Sequence, residues 1–180
     1  MNIVIAGAPG SGKGTMTEIL TTLGYNVIST GEMMRAEKKS GSELGKTISK
    51  LIDSGQLVSD DIVDEMVKNK IDNSKGKLLF DGYPRTLAQA KKLDTLVSPI
   101  KVIWLNVSDK VSIERNLKRG ESSGRPDDMN VDIIKDRLDI FKKESKPIKK
   151  YYEETNRLFE LDGEQSKEYV FSQILKIIKN

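Results

Sequence analysis

The stretch Gly7-Ala8-Pro9-Gly10-Ser11-Gly12-Lys13-Gly14-Thr15 constrains this chain more than any other part of it. It follows the apolar run Ile3-Val4-Ile5-Ala6. It precedes a segment whose apolar residues, Met16, Ile19, Leu20 and Leu23, fall on one helical face. A strand that turns through glycines straight into a helix can wrap backbone N–H groups around phosphate oxygens without side-chain obstruction. The helix N-terminus adds partial positive charge, and Lys13 adds a full one. The sequence therefore predicts a phosphate-binding loop between a buried strand and a helix. The general pattern places Ser or Thr directly after the lysine; here Gly14 intervenes and Thr15 follows.

The rest of the chain keeps the same rhythm. Asn26-Val27-Ile28-Ser29, Leu78-Leu79-Phe80, Val102 to Val107 and Leu158-Phe159-Glu160-Leu161 read as further strands. Helical spacing links Leu44, Ile48, Leu51 and Ile52, and again Ile62, Val63, Met66 and Val67. Val131 to Glu154 reads as a long charged helix with a kink or break at Pro147. Tyr169, Val170, Ile174, Leu175 and Ile178 suggest a closing amphipathic helix. Strands alternating with helices imply parallel pairing in an α/β layered fold. Two stretches fit poorly. Residues 30–59 hold more helix than one crossover needs, and 118–130 are polar and glycine-containing, which reads as a mobile loop.

Composition narrows the chemistry. None of the 180 residues is cysteine or histidine. A disulfide framework, a Cys/His zinc site, a cysteine nucleophile, a Ser-His-Asp triad and a phosphohistidine are all excluded. Oxygen-ligated Mg²⁺ remains open. The net charge of +3 is too small to argue for nucleic acid. No apolar run approaches the ~20 residues of a membrane span, and no signal peptide is expected. The expected compartment is the cytoplasm.

Two further signals bear on a phosphate chemistry. Asp81 ends the run Leu78-Leu79-Phe80, where phosphate-loop enzymes commonly orient Mg²⁺ and its waters. Only seven of the 30 basic residues are arginines: Arg35, Arg85, Arg115, Arg119, Arg125, Arg137 and Arg157. Arginine is the residue suited to forked phosphate contacts and to transition-state charge. Arg157 reads as an ordinary ion-pairing residue.

Several elements then recur in a telling order. They are the loop Gly7 to Thr15, Ser29-Thr30-Gly31-Glu32-Met33-Met34-Arg35, Asp81-Gly82-Tyr83-Pro84-Arg85-Thr86, Gln89, and Ser123-Gly124-Arg125-Pro126-Asp127-Asp128. Together they resemble the adenylate kinase family of nucleoside monophosphate kinases, from Ile3 to Leu161-Asp162-Gly163. The resemblance implies a three-layer P-loop NTPase fold of the α/β class with a parallel five-stranded sheet. It further implies a core of 1–29, 60–117 and 131–180, an NMP-binding subdomain at 30–59 and a short lid at 118–130. Gly120 and Gly124 would help the lid bend. Glu32 stands where an aspartate is usual, and Met33-Met34 where leucines are usual.

The implied reaction is ATP + AMP ⇌ 2 ADP, with Mg²⁺ on the triphosphate and no structural zinc. By the resemblance, Gly10, Ser11, Gly12, Lys13, Gly14 and Thr15 meet ATP. Arg115 lies near its adenine, Arg119 on its phosphates, and Gln165 offers a backbone contact to the base. Thr30, Arg35, Gln56, Leu57, Val58, Gly82, Arg85 and Gln89 surround AMP, with Arg35 and Arg85 on its phosphate and Gln89 on its adenine edge. Lys13, Arg85, Arg125 and Arg137 serve catalysis, and Arg125 and Arg137 also reach AMP. Asp81 holds Mg²⁺ through water. The partners are ATP, AMP and ADP, without nucleic acid or membrane; the family's common state is a monomer, with trimers among archaeal members. The interval from Asp128 to Arg137 is one residue longer than in other short-lid members. Arg137 keeps its direction only if Met129 or Asn130 stays outside the helix, because one extra helical residue rotates it by about 100°.

Three rivals define the tests. UMP/CMP kinases share the short lid, but an alanine usually stands at the place of Thr30 and an asparagine at that of Thr86. A nucleotide-regulated RNA- or protein-binding module would use Lys142, Lys143, Lys146, Lys149 and Lys150, which otherwise read as a solvated face balanced by Glu144, Glu153 and Glu154. A GTP switch would need an Asn-Lys-x-Asp element, whereas Val107-Ser108-Asp109-Lys110 follows Asn106. Trp104 lies in a strand run and reads as core.

Overall fold

A computed structural model describes residues 1–54, 56, 58–98 and 100–179. Five strands form one sheet: β1 (Asn2–Gly7), β2 (Asn26–Ser29), β3 (Leu78–Asp81), β4 (Ile100–Asn106) and β5 (Leu158–Asp162). Their order is β2-β3-β1-β4-β5, and every pairing is parallel. The expected five-stranded parallel sheet of an α/β fold is therefore present. The helices are α1 (Lys13–Thr21), α2 (Thr30–Ser40), α3 (Glu43–Asp53), α4 (Asp60–Asp72), α5 (Leu87–Leu96), α6 (Asp109–Ser123), α7 (Pro126–Met129), α8 (Val131–Glu154) and α9 (Lys167–Lys179).

The period of two along each strand divides the core into two layers. Ile3, Ile5, Leu79, Ile103 and Leu105 face Met16 and Leu20 of α1 and Val170 and Ile174 of α9. Val4, Ile28, Phe80, Val102 and Trp104 face the other way. They meet Val63 and Val67 of α4, Ala90 and Leu93 of α5, and Ile148 and Tyr152 of α8. Burial on both faces explains why the strands read as unbroken apolar runs. Each fully buried side chain of this kind contributes about 1.5–3 kcal/mol. Trp104 is indeed core, 3% exposed and tilted against Phe141 at 5.7 Å between ring centroids.

Three local readings are refined. The polar stretch 118–130 is not an open loop: α6 runs through it to Ser123, Gly124 caps it at φ 63°, and α7 follows after Arg125. Gly120 lies inside α6 and serves as a contact point. A Cβ there would lie 2.8 Å from the carbonyl oxygen of Asp128, so its absence lets α7 settle against α6. Gly120→Ala should lower stability by about 1–3 kcal/mol in a urea melt, through overpacking of that contact. At Pro147 the helix does not break; α8 continues to Glu154. The carbonyl left without a partner belongs to Lys143, an exposed residue whose backbone water can reach. Ser145, Ile148 and Tyr152 hold the opposite face in the core.

The connections decide where a ligand sits. From β1 the chain crosses to β2 and returns to β3, beside β1. It then passes to the opposite side of β1 for β4 and β5. Such a reversal opens a crevice beyond the carboxyl ends of the central strands. Among the described residues, no helix is long and apolar enough to cross a membrane.

Candidate active site

The crevice is a cleft of about 630 Å³ beyond β1, β3 and β4, floored by the loop 7–15. Gly12 caps α1 in a left-handed conformation (φ 95°, ψ 6°), with no side chain satisfying the first N–H groups of the helix. Those donors stay free for an anion. Gly10 (φ 77°) must be glycine for a second reason, because a Cβ would lie 2.7 Å from both the Ser112 carbonyl and the Asn116 amide of α6. Ser112 donates its hydroxyl to the Pro9 carbonyl, so α6 braces the loop from behind.

Lys13 lies across this loop. Its ammonium donates to the carbonyls of Gly7 at 2.7 Å and Ala8 at 2.8 Å. Its pKa is lowered to about 8. Burial is the largest cause; Asp81 opposes it, and the charges of Arg85, Arg119 and Arg137 add to it.

Cations crowd the rest of the cleft. Arg35, Arg85, Arg115, Arg119, Arg125 and Arg137 all line it with Lys13 and Asp81. They come from five separate places: α2, the β3–α5 loop, α6, the residue that caps α7, and α8. Two are tied down. Arg119 forks onto the Asp128 carboxylate at 2.7 and 2.8 Å, and Arg137 donates to the same carboxylate at 2.9 Å. Asp128 is fully buried. Burial alone would push its pKa up; the hydrogen bonds from Arg119 and Arg137 outweigh that and hold it below the usual carboxylate range. Arg35, Arg85, Arg115 and Arg125 form no salt bridge among the described residues. Among the described residues the Arg85 guanidinium donates only to the Gly82 carbonyl, at 2.8 Å, and that of Arg115 to the Gly163 carbonyl, at 2.9 Å.

The interval question at Arg137 has a geometric answer. Asn130 is extended (φ −118°, ψ 118°) and caps α8 by accepting from the backbone N–H groups of Asp132 and Ile133. The extra residue therefore lies outside the helix, and Arg137 points into the cleft.

A second, narrower cavity shares Met34, Ile52, Gln56, Gly82 and Arg85 with the cleft and adds Thr30, Val58, Asp60, Val63 and Gln89. Thr30 donates to the Gly82 carbonyl at 2.8 Å, joining α2 to the β3–α5 loop. Tyr83 is buried and donates to Asp64 at 2.7 Å. Burial, reinforced by that carboxylate, raises the pKa of its phenol.

The sequence candidates therefore fall in three groups. Gly10 to Thr15, Arg35, Gln56, Asp81, Gly82, Arg85, Arg115, Arg119, Arg125 and Arg137 surround the cleft; Thr30, Val58 and Gln89 line the adjoining cavity. Gln165 lies outside both; its side-chain amide bonds Asp162 at 2.8 Å. Leu57 lies outside the described residues. Sequence reasoning missed Ser112, Asn116 and Asp60. Nothing singled out any of the three, although Asp60 follows Ser59 just before the helical pattern of Ile62, Val63, Met66 and Val67.

Among the described residues no group of three or more acidic side chains could cage a metal. Asp81 is the carboxylate at the end of β3 that lines the cleft beside the loop. One carboxylate beside a phosphate site is what Mg²⁺ uses, since it retains several waters and takes phosphate oxygens as ligands. The residues present fit that ion.

Comparison with known proteins agrees with this architecture. A family model described as adenylate kinase matches residues 5–157. The adenylate kinase of Bacteroides fragilis is 41% identical over 187 residues, covering 99% of this chain and 98% of the relative. That of Maricaulis maris is 37% identical over 182 residues, covering 97% and 96%. Adenylate kinase isoenzyme 1 of Bos taurus is 39% identical over 178 residues, covering 96% and 91%. Matches of this extent run through the phosphate loop, both cavities and most of the helices around them, and the chain belongs to the adenylate kinase family.

Proposed function

We propose that this enzyme moves the γ-phosphoryl group of Mg-ATP directly to AMP, giving two ADP. One observation carries the reading. Four arginines without carboxylate partners converge with Lys13 on a single cleft between a phosphate loop and a smaller cavity. Cations brought together this way repel one another unless polyanions enter between them.

The roles implied by the resemblance are supported by which residues line the cleft and the smaller cavity. The loop Gly10 to Thr15 and Lys13 receive the β and γ phosphates of ATP. Arg115, on α6, flanks its base, and Arg119 its phosphates. Arg35 and Arg85 take the AMP phosphate, while Thr30, Gln56, Val58, Gly82 and Gln89 enclose the nucleoside. Arg125 and Arg137, with Arg85 and Lys13, surround the phosphoryl group in flight. Asp81 would hold Mg²⁺ through water, and that ion supplies further positive charge to the triphosphate oxygens. Phosphoryl transfer needs alignment and charge stabilisation more than covalent help, so no side-chain base is required for an attacking phosphate oxygen. Closure of the α6–α7 region over the cleft excludes water as a competing acceptor.

ADP formation from ATP with AMP, UMP, CMP and GMP in parallel tests the reading. AMP should exceed each of the others by about 10²-fold or more in kcat/KM. Comparable rates with UMP or CMP would make it a pyrimidine monophosphate kinase. Absence of transfer to any acceptor would leave only a nucleotide-regulated binding module. The lysines of that alternative are largely occupied: Lys142 pairs with Asp109, Lys149 with Glu160 and Lys150 with Glu154.

A further inference from the structure

Gln89 is 3% exposed, and its amide is held at both ends. Its Oε1 accepts from the backbone N–H of Arg85 at 2.6 Å. Its Nε2 donates to Oδ1 of Asp60 at 2.7 Å. The other carboxylate oxygen of Asp60 accepts from the Thr86 hydroxyl at 2.6 Å, and Thr86 in turn accepts from the Gln89 backbone N–H at 3.2 Å. Asp60 opens α4, yet both of its oxygens are turned away from its own helix, toward α5.

These partners leave the amide no choice of direction. A backbone N–H can only donate and a carboxylate can only accept, so the oxygen must face Arg85 and the nitrogen Asp60. An unconstrained glutamine can turn over and suit either of two opposite base edges. This one cannot turn without setting N–H against N–H and oxygen against carboxylate. One lone pair and one N–H of the amide remain free, in a fixed order.

We propose that Asp60 is a positioning residue that sets base selectivity through Gln89. This rests on the reading that Gln89 meets the acceptor base. Adenine offers an amino donor beside a ring acceptor, which matches the fixed order. The 6-oxo purines and uracil offer a carbonyl acceptor beside a ring N–H, which opposes it. Cytosine has the same order as adenine, so the clamp does not reject it, and the length of the cavity must. The bland role for Asp60, a favourable charge in the first turn of α4, would leave base selectivity untouched.

Asp60→Ala removes the clamp at the nitrogen end. The readout is kcat/KM for AMP relative to inosine monophosphate, which has nearly the same shape with the edge reversed. The ratio should fall by about tenfold or more, given the usual discrimination of one two-point base contact. KM for AMP should rise while KM for ATP stays within about twofold. A folded Asp60→Ala enzyme with an unchanged ratio overturns the proposal. Should that variant not fold, Asp60→Asn keeps the shape but can also donate, and the ratio should still fall by about threefold; an unchanged ratio there overturns the proposal equally. Gln89→Leu separates the two layers. If it abolishes selectivity while the Asp60 variants do not, only the role of Asp60 fails. If it leaves both selectivity and KM for AMP unchanged, the assignment of Gln89 to the base fails as well.

Discussion

Arg85→Ala should lower turnover by about 10³-fold while the protein melts at its original temperature or slightly above. The size of the loss is that of removing one preorganised cation from a transferring phosphoryl group. The absence of a stability cost follows from the contacts. Arg85 is exposed and its guanidinium donates only to the Gly82 carbonyl, which keeps the Thr30 hydroxyl as a donor; the backbone N–H that meets Gln89 survives the substitution. Arg137 and Arg35 crowd its charge while Asp81 and Asp127 oppose them, so the empty enzyme loses little when that charge is removed. Arg125→Ala should behave alike, since Arg125 has no ion pair among the described residues. Arg119→Ala and Arg137→Ala should differ in kind. Each strips a hydrogen-bonded partner from the buried Asp128 carboxylate, so each should cost about 1–3 kcal/mol of stability as well as activity. Kinetics and thermal melts on the four variants sort them into two pairs. Near-normal turnover in Arg85→Ala or Arg125→Ala would remove the basis for assigning phosphoryl transfer to this cleft.

The same division explains what could be read from the sequence. The strands and helices α1, α4, α8 and α9 announce themselves because the sheet is buried on both faces and those helices pack on it with Leu, Ile, Val and Met. Helix α6 leaves no such trace. The residues it buries are Ser112, Asn116 and Gly120, which press against the phosphate loop and against Asp128 rather than against the sheet. Ile113 and Leu117 of α6 do pack against Ala8, Ile134 and Leu138, but they are only partly buried, and a period counted over apolar residues passes over a helix whose fully buried residues are polar and small. Helix α5 is faint for a related reason, since its buried face is Gln89, Ala90 and Leu93. Both obscure helices belong to the site. In α6 the buried residues serve hydrogen bonding and close approach, and in α5 only Ala90 and Leu93 join the core beside Gln89, so each apolar pattern is thin. The cleft residues were legible instead through their order in the chain. Their pairings were not, because Asp60 with Gln89 and Asp128 with Arg119 and Arg137 arise only when separate helices come together.

Lys13 carries the other large effect, and it is tied to pH. Lys13→Met should lower kcat/KM for ATP by about 10³-fold, since the loop would keep its amides but lose the one full charge that lies across it. Before nucleotide binds, that charge is poorly held. Burial lowers the pKa of Lys13 to about 8, with Asp81 pulling the other way and the Arg85, Arg119 and Arg137 charges lowering it further. A bound polyphosphate reverses the balance by placing negative charge beside the ammonium, which raises its pKa. Binding therefore takes up a proton wherever the free enzyme has lost it. ATP affinity should be flat well below pH 8 and weaken by about tenfold per pH unit above it. Stability of the empty protein should move the opposite way. Between pH 8 and 10.5 the unfolded chain keeps a proton that the folded chain has shed, so this residue makes stability rise across that window. ATP titrations and urea melts at a series of pH values measure both slopes. Lys13→Met should remove the pH dependence of affinity that begins near pH 8 and leave the remaining, weaker binding flat. A wild-type affinity unchanged from pH 7 to 10, together with an unchanged affinity in Lys13→Met, would show that Lys13 does not contact the phosphates.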